Sequence, residues 1–424
     1  MPPSHDHSHG TDPDAPPPTP EVLGLRRRAV WLMLLLLVPI GLATVVGLFV
    51  LWPSGEPSQA QQVAETYLPP GMTYPEATVV SVEPLACGGD TGSQQEQCAS
   101  AVVEILDGEG KGDFQQVELS ADVVANGVEK GDTVVLTRDG GAEGGPTYGF
   151  FDYARGTPIV VLAIAFAVVV GLVARLRGLA ALVGLAFAFF ILFRFVLPAI
   201  LSEDSPTLVS LVGSSAIMFV VLYLAHGFSA RTTTALVGTL FGLTLVAVMG
   251  SVAVSVARLT GLTSEETMQL HTFDPTLNFS GLVLAGVVVA GLGVLNDVTI
   301  TQASAIWQLS EVSPDLTWRE LYTRGMAVGR DHIASTVYTI VFAYAGAALP
   351  LLLLFELYSQ PTLVTLFSSA VAEEVIRTLV AAIALVLAVP VTTAVGAFFA
   401  KAANTEAGAA TDRRMTALRA RFAR

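Results

Sequence analysis

Long apolar stretches constrain this chain more than any other feature of its sequence. The stretch from Ala29 to Trp52 and several later ones reach or exceed the ~18 residues that mark a membrane-spanning helix. Hydrophobic residues make up 52% of the sequence and charged residues only 14%, against about 25% charged residues in soluble proteins. The sequence therefore predicts an α-helical polytopic membrane protein that is surrounded by a lipid bilayer.

Eight transmembrane helices account for these stretches. The first, at residues 29–52, is longer than the 7–15 apolar residues of a signal peptide, which favours an uncleaved anchor, although Ser58-Gln59-Ala60 resembles a cleavage site. The other seven form a transmembrane domain over residues 158–400. They are predicted at 158–174, 178–200, 207–226, 234–256, 280–298, 333–355 and 376–399.

The basic residues orient this arrangement in the membrane. Fifteen of the 22 lie on the side of the termini, so the positive-inside rule predicts a multi-pass protein of the cytoplasmic membrane with both termini in the cytoplasm. Residues 1–25 are rich in Pro, Asp and His and predict a disordered tail. Residues 401–424 form a basic cytoplasmic tail that could lie on the anionic leaflet.

Residues 56–155 differ in composition and predict an extracytoplasmic domain between the first two spans. Short β-type runs separated by Gly and Asp turns indicate a small β-barrel or sandwich, and an OB-like barrel is one form that fits. The clearest runs are Thr78–Val82, Ala99–Ile105, Phe114–Leu119 and Asp132–Leu136. Both cysteines, Cys87 and Cys98, lie in this domain, and an even number in an oxidising compartment predicts one structural disulfide.

Polar residues at three places in the apolar domain are candidates for function, because ionisable groups in a bilayer are costly. The first place joins the fourth and fifth spans, from His226 through Arg231 to Thr239. Its Gly and hydroxyl residues could expose backbone to a cavity. A short interfacial loop explains the same residues equally well.

The second place closes the sixth span and centres on Asn296 and Asp297. If the helix continues, Asp297, Thr301 and Ser304 share one face. A carboxylate, hydroxyls and an amide on one stripe could coordinate a cation or relay a proton. The structural alternative is a helix-end carboxylate that is hydrated or paired with an arginine.

The third place opens the seventh span, with Asp331, His332, Ser335 and Thr339. A helix N-terminus would stabilise Asp331 through the macrodipole, which is a sufficient structural explanation for that residue. His332 is the best proton carrier of the group, because its unperturbed pKa is about 6.5. All three places lie on the predicted cytoplasmic side, and we expect them to converge in one site.

Other polar residues are weaker candidates. His5, His7 and His9 in the N-terminal tail could hold a transition metal weakly. Glu373 and Arg377 have the i, i+4 spacing of an ordinary helix ion pair. The sequence contains no P-loop, no H-E-x-x-H and no G-x-S-x-G motif, so ATP hydrolysis and the common hydrolase mechanisms lack support. The acidic balance and the lack of a basic stripe exclude nucleic-acid binding.

The three polar places resemble the YibE/F family of bacterial polytopic membrane proteins. The resemblance rests on His226–Thr239, Gly293–Gln302 and Gly329–Gly346 with Leu349-Pro350, and it covers the chain from about Gln61 to Ala400. Two positions depart from the family pattern, since Asn296 stands where relatives often carry Asp and Tyr338 where they often carry Asn. The resemblance implies the architecture of anchor, outer β-domain and helical bundle, without a particular activity or cofactor.

Two functions fit these features. The first is transport of an ion or small solute without ATP, through an intramembrane carboxylate site near the cytoplasmic side. The candidate binding residues are Asp297, Asn296, Thr301, Ser304, Asp331, His332, Thr339, His226 and Arg231. The alternative is a non-catalytic envelope component whose outer β-domain binds a polymer, peptide or partner protein. An intramembrane enzyme is the least favoured of the three classes.

Overall fold

The computed structural model describes residues 20–67, 71–87, 97–141, 145–202, 204–357 and 361–403. The chain forms two compact units. One unit comprises Pro57–Leu179, and the other comprises Met1–Glu56 with Ala180–Arg424. The three N-terminal histidines and nearly all of the basic C-terminal tail lie outside the described residues.

A five-stranded antiparallel sheet forms most of the first unit. Its order is β3-β2-β1-β4-β5, and β3 also lies next to β5, so the sheet nearly closes into a barrel. The strands are β1 (Glu76–Ala86), β2 (Gln97–Ile105), β3 (Phe114–Leu119), β4 (Thr133–Asp139) and β5 (Thr147–Tyr153). Helix α2 (Gln59–Tyr67) precedes the sheet, and the short helix α3 (Ala121–Ala125) connects β3 to β4. The predicted small barrel is confirmed, with an OB-like connectivity.

The barrel has an aliphatic interior because apolar residues alternate along its strands. Ala77 and Val79 of β1 are fully buried, as are Val117 of β3 and Leu136 of β4. The predicted disulfide is present: Cys87 follows β1, and Cys98 lies near the start of β2, the neighbouring strand. It closes the connection between these two strands.

Long apolar helices form the second unit. Within the described residues, six helical stretches are long and apolar enough to cross a membrane: Met33–Val50, Gly156–Leu201, Pro206–His226, Ala230–Val256, Phe279–Val312 and Ser369–Ala402. These stretches indicate a membrane protein. The helices of the chain outside the barrel are α1 (Pro20–Val50), α4 (Gly156–Ile191), a π-helical turn (Leu192–Val196), α5 (Leu197–Leu201), α6 (Pro206–His226), α7 (Ala230–Val256), α8 (Glu265–Phe273), α9 (Phe279–Val312), α10 (Trp318–Ala347), α11 (Leu349–Leu357), α12 (Thr362–Leu366) and α13 (Ser369–Ala403).

Helix α4 is interrupted between the two spans predicted at 158–174 and 178–200. Arg175 has φ 53° and ψ −136°, which is not helical. The chain bends so sharply there that a Cβ on Gly178 would lie 2.5 Å from the carbonyl oxygen of Val170. Position 178 therefore requires glycine, and the two apolar segments meet at a bend rather than forming one straight helix.

Helices α9 and α10 have different ends from those predicted. Helix α9 continues to Val312, so Asp297 lies in its middle and not at its end. Helix α10 begins at Trp318 because Thr317 and Glu320 form a capping box, in which each side chain accepts the other residue's backbone N–H. The span predicted at 333–355 crosses the break between α10 and α11, and it is not among the six apolar stretches.

Helix α9 occupies the centre of the second unit, where it contacts α6, α7, α10 and α13. Glycines let these helices approach closely, as is common between membrane helices. A Cβ on Gly242 of α7 would lie 2.5 Å from Leu295 of α9, and one on Gly329 of α10 would lie 2.6 Å from Val389 of α13. This close packing brings polar residues of four helices together.

Candidate functional site in the helical unit

The turn between α6 and α7 contains the first predicted place. His226 ends α6, and Gly227 has a positive φ of 75°. Ser229 caps α7 by accepting the N–H of Thr232 at 3.2 Å. The hydroxyls of Tyr223 and Thr233 join the two helices at 3.1 Å. These bonds give the turn a structural role, and Arg231 lies half-buried beside it.

The second predicted place forms a polar stripe on α9. Asp297 and Thr301 are exposed in the isolated chain, and Ser304 is half-buried. Gly293, one turn before Asp297, is also exposed and has open space around its Cα. Because these residues recur every three or four positions, they lie on one side of the helix. The ion pairs found among the described residues do not include Asp297.

The third predicted place forms a similar stripe on α10. Asp331, Ser335 and Thr339 are exposed at i, i+4 and i+8, and His332 is half-buried. Asp331 lies 13 residues after Trp318, the first residue of the helix, so the proposed macrodipole explanation is wrong, since that effect is confined to the first turn. No ion pair of the described chain involves Asp331 either.

Helices α9 and α10 form an antiparallel pair, which relates the levels of the two stripes along it. Gln302 of α9 donates to the carbonyl oxygen of Gly325 at 2.9 Å, and Gly329 of α10 lies against the same side chain. With a rise of 1.5 Å per residue, Asp297 lies about 7.5 Å from the level of Gln302, and Asp331 lies about 3 Å beyond Gly329 and about 9 Å beyond Gly325, in the same direction along the pair. The structure thus places both carboxylates at a similar level of adjacent helices.

A buried cluster of hydroxyl and amide groups lies behind α9. The hydroxyls of Thr239 and Thr299 are 2.6 Å apart, and Gln302 Nε2 donates to Thr393 Oγ1 at 2.8 Å. Sequence reasoning did not select this cluster as a site. Gly238-Thr239 and Gln302 were part of the polar places, but nothing in the apolar run around Thr393 indicated that its hydroxyl lies beside them.

Asn296 links the buried cluster to the exposed stripe. Its backbone oxygen accepts from the hydroxyl of Thr299 at 3.2 Å. Its side-chain Oδ1 is inaccessible to solvent and has no hydrogen-bond partner among the described protein atoms. A buried amide oxygen without a donor loses about 1–3 kcal/mol of hydration. This oxygen belongs to the residue before Asp297 and is available to accept a hydrogen bond or to coordinate a cation.

Glu373, which precedes the last predicted span, has a different partner from the one that the sequence predicts. Arg377 pairs with Glu374 at 3.4 Å, whereas Glu373 does not contact Arg377. Instead, Glu373 is 7% exposed and accepts the N–H of Gly261 at 3.2 Å and the hydroxyl of Thr263 at 2.8 Å. The predicted i, i+4 pair is therefore wrong, because the loop after α7 supplies closer donors to Glu373.

Metal-ligating side chains do not form clusters among the described residues. No group of three or more His, Cys, Asp or Glu residues has the proximity that a metal ion requires. The proposed ligands His5, His7 and His9 lie outside the described residues, so that suggestion stays a prediction.

Comparison with known families identifies the helical part of the chain. A family model described as YibE/F-like protein matches residues 162–402, which is more than half of the 424 residues. The chain belongs to the YibE/F-like family. The matched segment contains all three polar places and the buried cluster, whereas the barrel lies before it. The comparisons with curated proteins and with solved structures give no match.

Proposed function

We propose that this YibE/F-like protein moves a cation or a proton-coupled small solute across the membrane without ATP hydrolysis. The observation that carries the proposal is the position of two carboxylates, Asp297 and Asp331, at a similar level of adjacent helices, where neither forms an ion pair with another described residue. Asp297 lies in one of the six helical stretches that are long and apolar enough to cross a bilayer, and Asp331 lies in a helix that packs against it.

The cost of an ionised group in a bilayer supports this proposal. An unpaired carboxylate among lipid chains costs several kcal/mol, so such residues normally face water, a proton or a cation. The exposed stripes supply further oxygen ligands from Thr301 and Thr339, and Asn296 Oδ1 adds one that lacks a partner. Oxygen-rich sites of this kind suit hard cations. His332 and Arg231 would adjust the local charge.

The proposal includes the eight-span topology with both termini in the cytoplasm. The distribution of basic residues supports it, as does the disulfide of the barrel, since disulfides persist in oxidising compartments. A membrane-impermeant phosphine added to intact cells should then reduce the Cys87–Cys98 bond. A bond that resists this reagent in cells but is reduced in a lysate would place the barrel on the inner side.

Transport is tested with purified protein in liposomes. Currents on a solid-supported membrane are recorded after jumps in H⁺, Na⁺, K⁺ and Mg²⁺ concentration. We expect a current in the wild type that falls to the level of protein-free liposomes in Asp297→Asn and Asp331→Asn, because each substitution removes the charge with almost no change of shape.

The matched control is Glu311→Gln, which removes an exposed carboxylate from the end of the same helix α9. It should leave the current unchanged. Melting temperatures of all variants exclude misfolding as the cause of a lost current. A full current in Asp297→Asn, or the absence of any wild-type current with these four cations, would contradict the proposal.

A further inference from the structure

A cleft at one end of the barrel lies outside the segment that defines the family. It has a volume of about 640 Å³, within the roughly 300–1,000 Å³ of small-molecule sites. It lies where β1 begins and where β2 and β4 end. Tyr74, Asp107, Glu109 and Arg138 line it together with four glycines.

An aromatic ring is presented at this cleft. Tyr74 is 48% exposed, although it is a large aromatic residue. Phe151, 58% exposed, holds it edge to face with ring centroids 5.1 Å apart. The exposed part of the Tyr74 ring therefore offers an apolar surface on which a ligand can stack.

Polar groups are fixed around this ring. Arg138 is only 14% exposed, and its guanidinium is held by the carboxylate of Glu109 at 2.6 Å and by the hydroxyl of Tyr148 at 3.2 Å. Glu109 itself remains 78% exposed. Asp107 is also fixed, since its Oδ1 accepts the N–H of Glu76 at 2.7 Å. The cleft thus presents donors and acceptors that need little reorganisation to bind a ligand.

Glycines keep the remaining wall free of side chains. Gly71 and Gly108 have φ values of 82° and 71°, which favour glycine over other residues. Together with Gly140 and Gly141, they form a part of the wall that has no side chains, in which the N–H of Gly141 already donates to Asp139 Oδ1 at 2.9 Å. A ligand with many hydroxyl groups could bond to such a wall.

The charge of the unit disfavours an anionic ligand, and the side chains of the cleft do not favour a metal ion. Residues 57–155 contain sixteen acidic and four basic residues, so the domain repels anions. No group of three metal-ligating residues exists within its described part, and Arg138 in the wall disfavours a cation. A peptide strand is also disfavoured, because β3 and β5, the two edges of the sheet, lie next to each other.

We propose that this cleft binds a neutral saccharide chain, with one sugar ring stacked on Tyr74 and its hydroxyls bonded to Glu109, Arg138 and the glycine backbone. The inference does not depend on the proposed transport function. It assigns the barrel the capture of a glycan at the membrane surface.

The test uses the full-length protein in lipid nanodiscs, since maltoside and glucoside detergents would compete with the ligand. Saturation-transfer NMR is recorded with linear β-1,4- and α-1,4-linked tetrasaccharides as probes. We expect transfer from the protein to the ring protons of one probe, and about tenfold or more weaker binding in Tyr74→Ala and in Glu109→Gln.

The matched control is Phe114→Ala, which removes another exposed aromatic ring of the same barrel that does not line the cleft. It should bind like the wild type. Equal binding by all variants, or the absence of transfer to every tetrasaccharide with the wild-type protein, would overturn the inference. Saturation transfer to a basic peptide, without transfer to any saccharide, would identify a peptide site instead.

Discussion

The barrel and the helical unit (Met1–Glu56 with Ala180–Arg424) differ in which polar side chains they bury and which apolar side chains they expose. Among the described residues, all fourteen buried polar or charged side chains lie in the helical unit. The buried side chains of the barrel are aliphatic, such as Val79, Val103 and Leu136. The surface of the barrel is acidic and contains ion pairs, whereas the helices expose many Leu, Val and Phe side chains.

This difference reflects two solvents. In water, burial of apolar groups drives folding, and charges remain at the surface. On the barrel, for example, the hydrogen bond from Arg155 lowers the pKa of the exposed Asp152 carboxyl. In lipid, burial of apolar groups provides no hydrophobic driving force. Close packing and buried hydroxyl pairs, such as Thr239 with Thr299, therefore hold the helices together.

Asn296 and Asp297 differ from the other polar residues of the helical unit in their hydrogen bonds and ion pairs. Most buried hydroxyls of the helical unit bond to the backbone one turn earlier, as Thr392 does to Ala388 and Thr393 to Val389. Asn296 Oδ1 has no such bond, and Asp297 has no counter-charge among the described ion pairs. A polar group that the fold itself does not satisfy is a candidate for binding something else.

Removal of the disulfide should give the largest effect and should be confined to the barrel. Cys87 and Cys98 are 11 residues apart, and closing a loop of this length contributes about 3 kcal/mol in the chain-entropy model. We expect the double variant Cys87→Ser with Cys98→Ser to lower the free energy of unfolding of the barrel by about that amount. Pulse proteolysis of the barrel in increasing urea measures it.

Tryptophan fluorescence provides the control for this prediction. The four tryptophans are Trp31, Trp52, Trp307 and Trp318, and all belong to the helical unit. Their unfolding transition should be the same in the double variant and in the wild type. A shift of both signals together would mean that the two units unfold as one and would weaken the comparison.

A glycine substitution should give a smaller effect, confined to the helical unit. A Cβ on Gly238 would collide with Thr392 Oγ1, and such overpacking typically costs about 1–3 kcal/mol. We therefore expect Gly238→Ala to lower the temperature of the tryptophan-reported transition. Proteolysis of the barrel should be unaffected.

Gly293→Ala is the matched control, because Gly293 lies in the neighbouring helix α9 with no atom within 4 Å of the added Cβ. Alanine is a better helix former than glycine by about 1 kcal/mol, so this variant should be neutral or slightly stabilised. Equal destabilisation by the two substitutions would show that close helix packing at Gly238 is not what matters.

Local patterns in the sequence predicted much of the fold. Four barrel strands were predicted at their correct places, because alternation of apolar and polar residues is a local signal, although β1 ends four residues and β4 three residues after the predicted ends. The fifth strand, β5, has Gly149 in its middle and two adjacent aromatics, Phe150 and Phe151, which hide the alternation. The disulfide followed from the number and position of the cysteines.

Helix ends and side-chain partners were harder to predict. Within an apolar run, the sequence does not show where a helix ends, so α9 was ended too early and α10 begun too late. The prediction that Glu373 pairs with Arg377 was wrong for a related reason. The donors to Glu373, Gly261 and Thr263, are more than 100 residues away, and spacing within a helix reports only local neighbours.

The sequence by itself indicated which unit is surrounded by water and which by lipid, and it identified the polar residues that are exceptional within the apolar segments. Hydrophobicity and charge are properties of each segment, so they can be read without knowing its neighbours. Tertiary structure alone decided that Asp297 and Asp331 share one level, that Asn296 Oδ1 has no donor, and that Tyr74 and Arg138 face one cleft. These relations depend on distances between segments far apart in the chain, and only the packing of the helices and strands sets them.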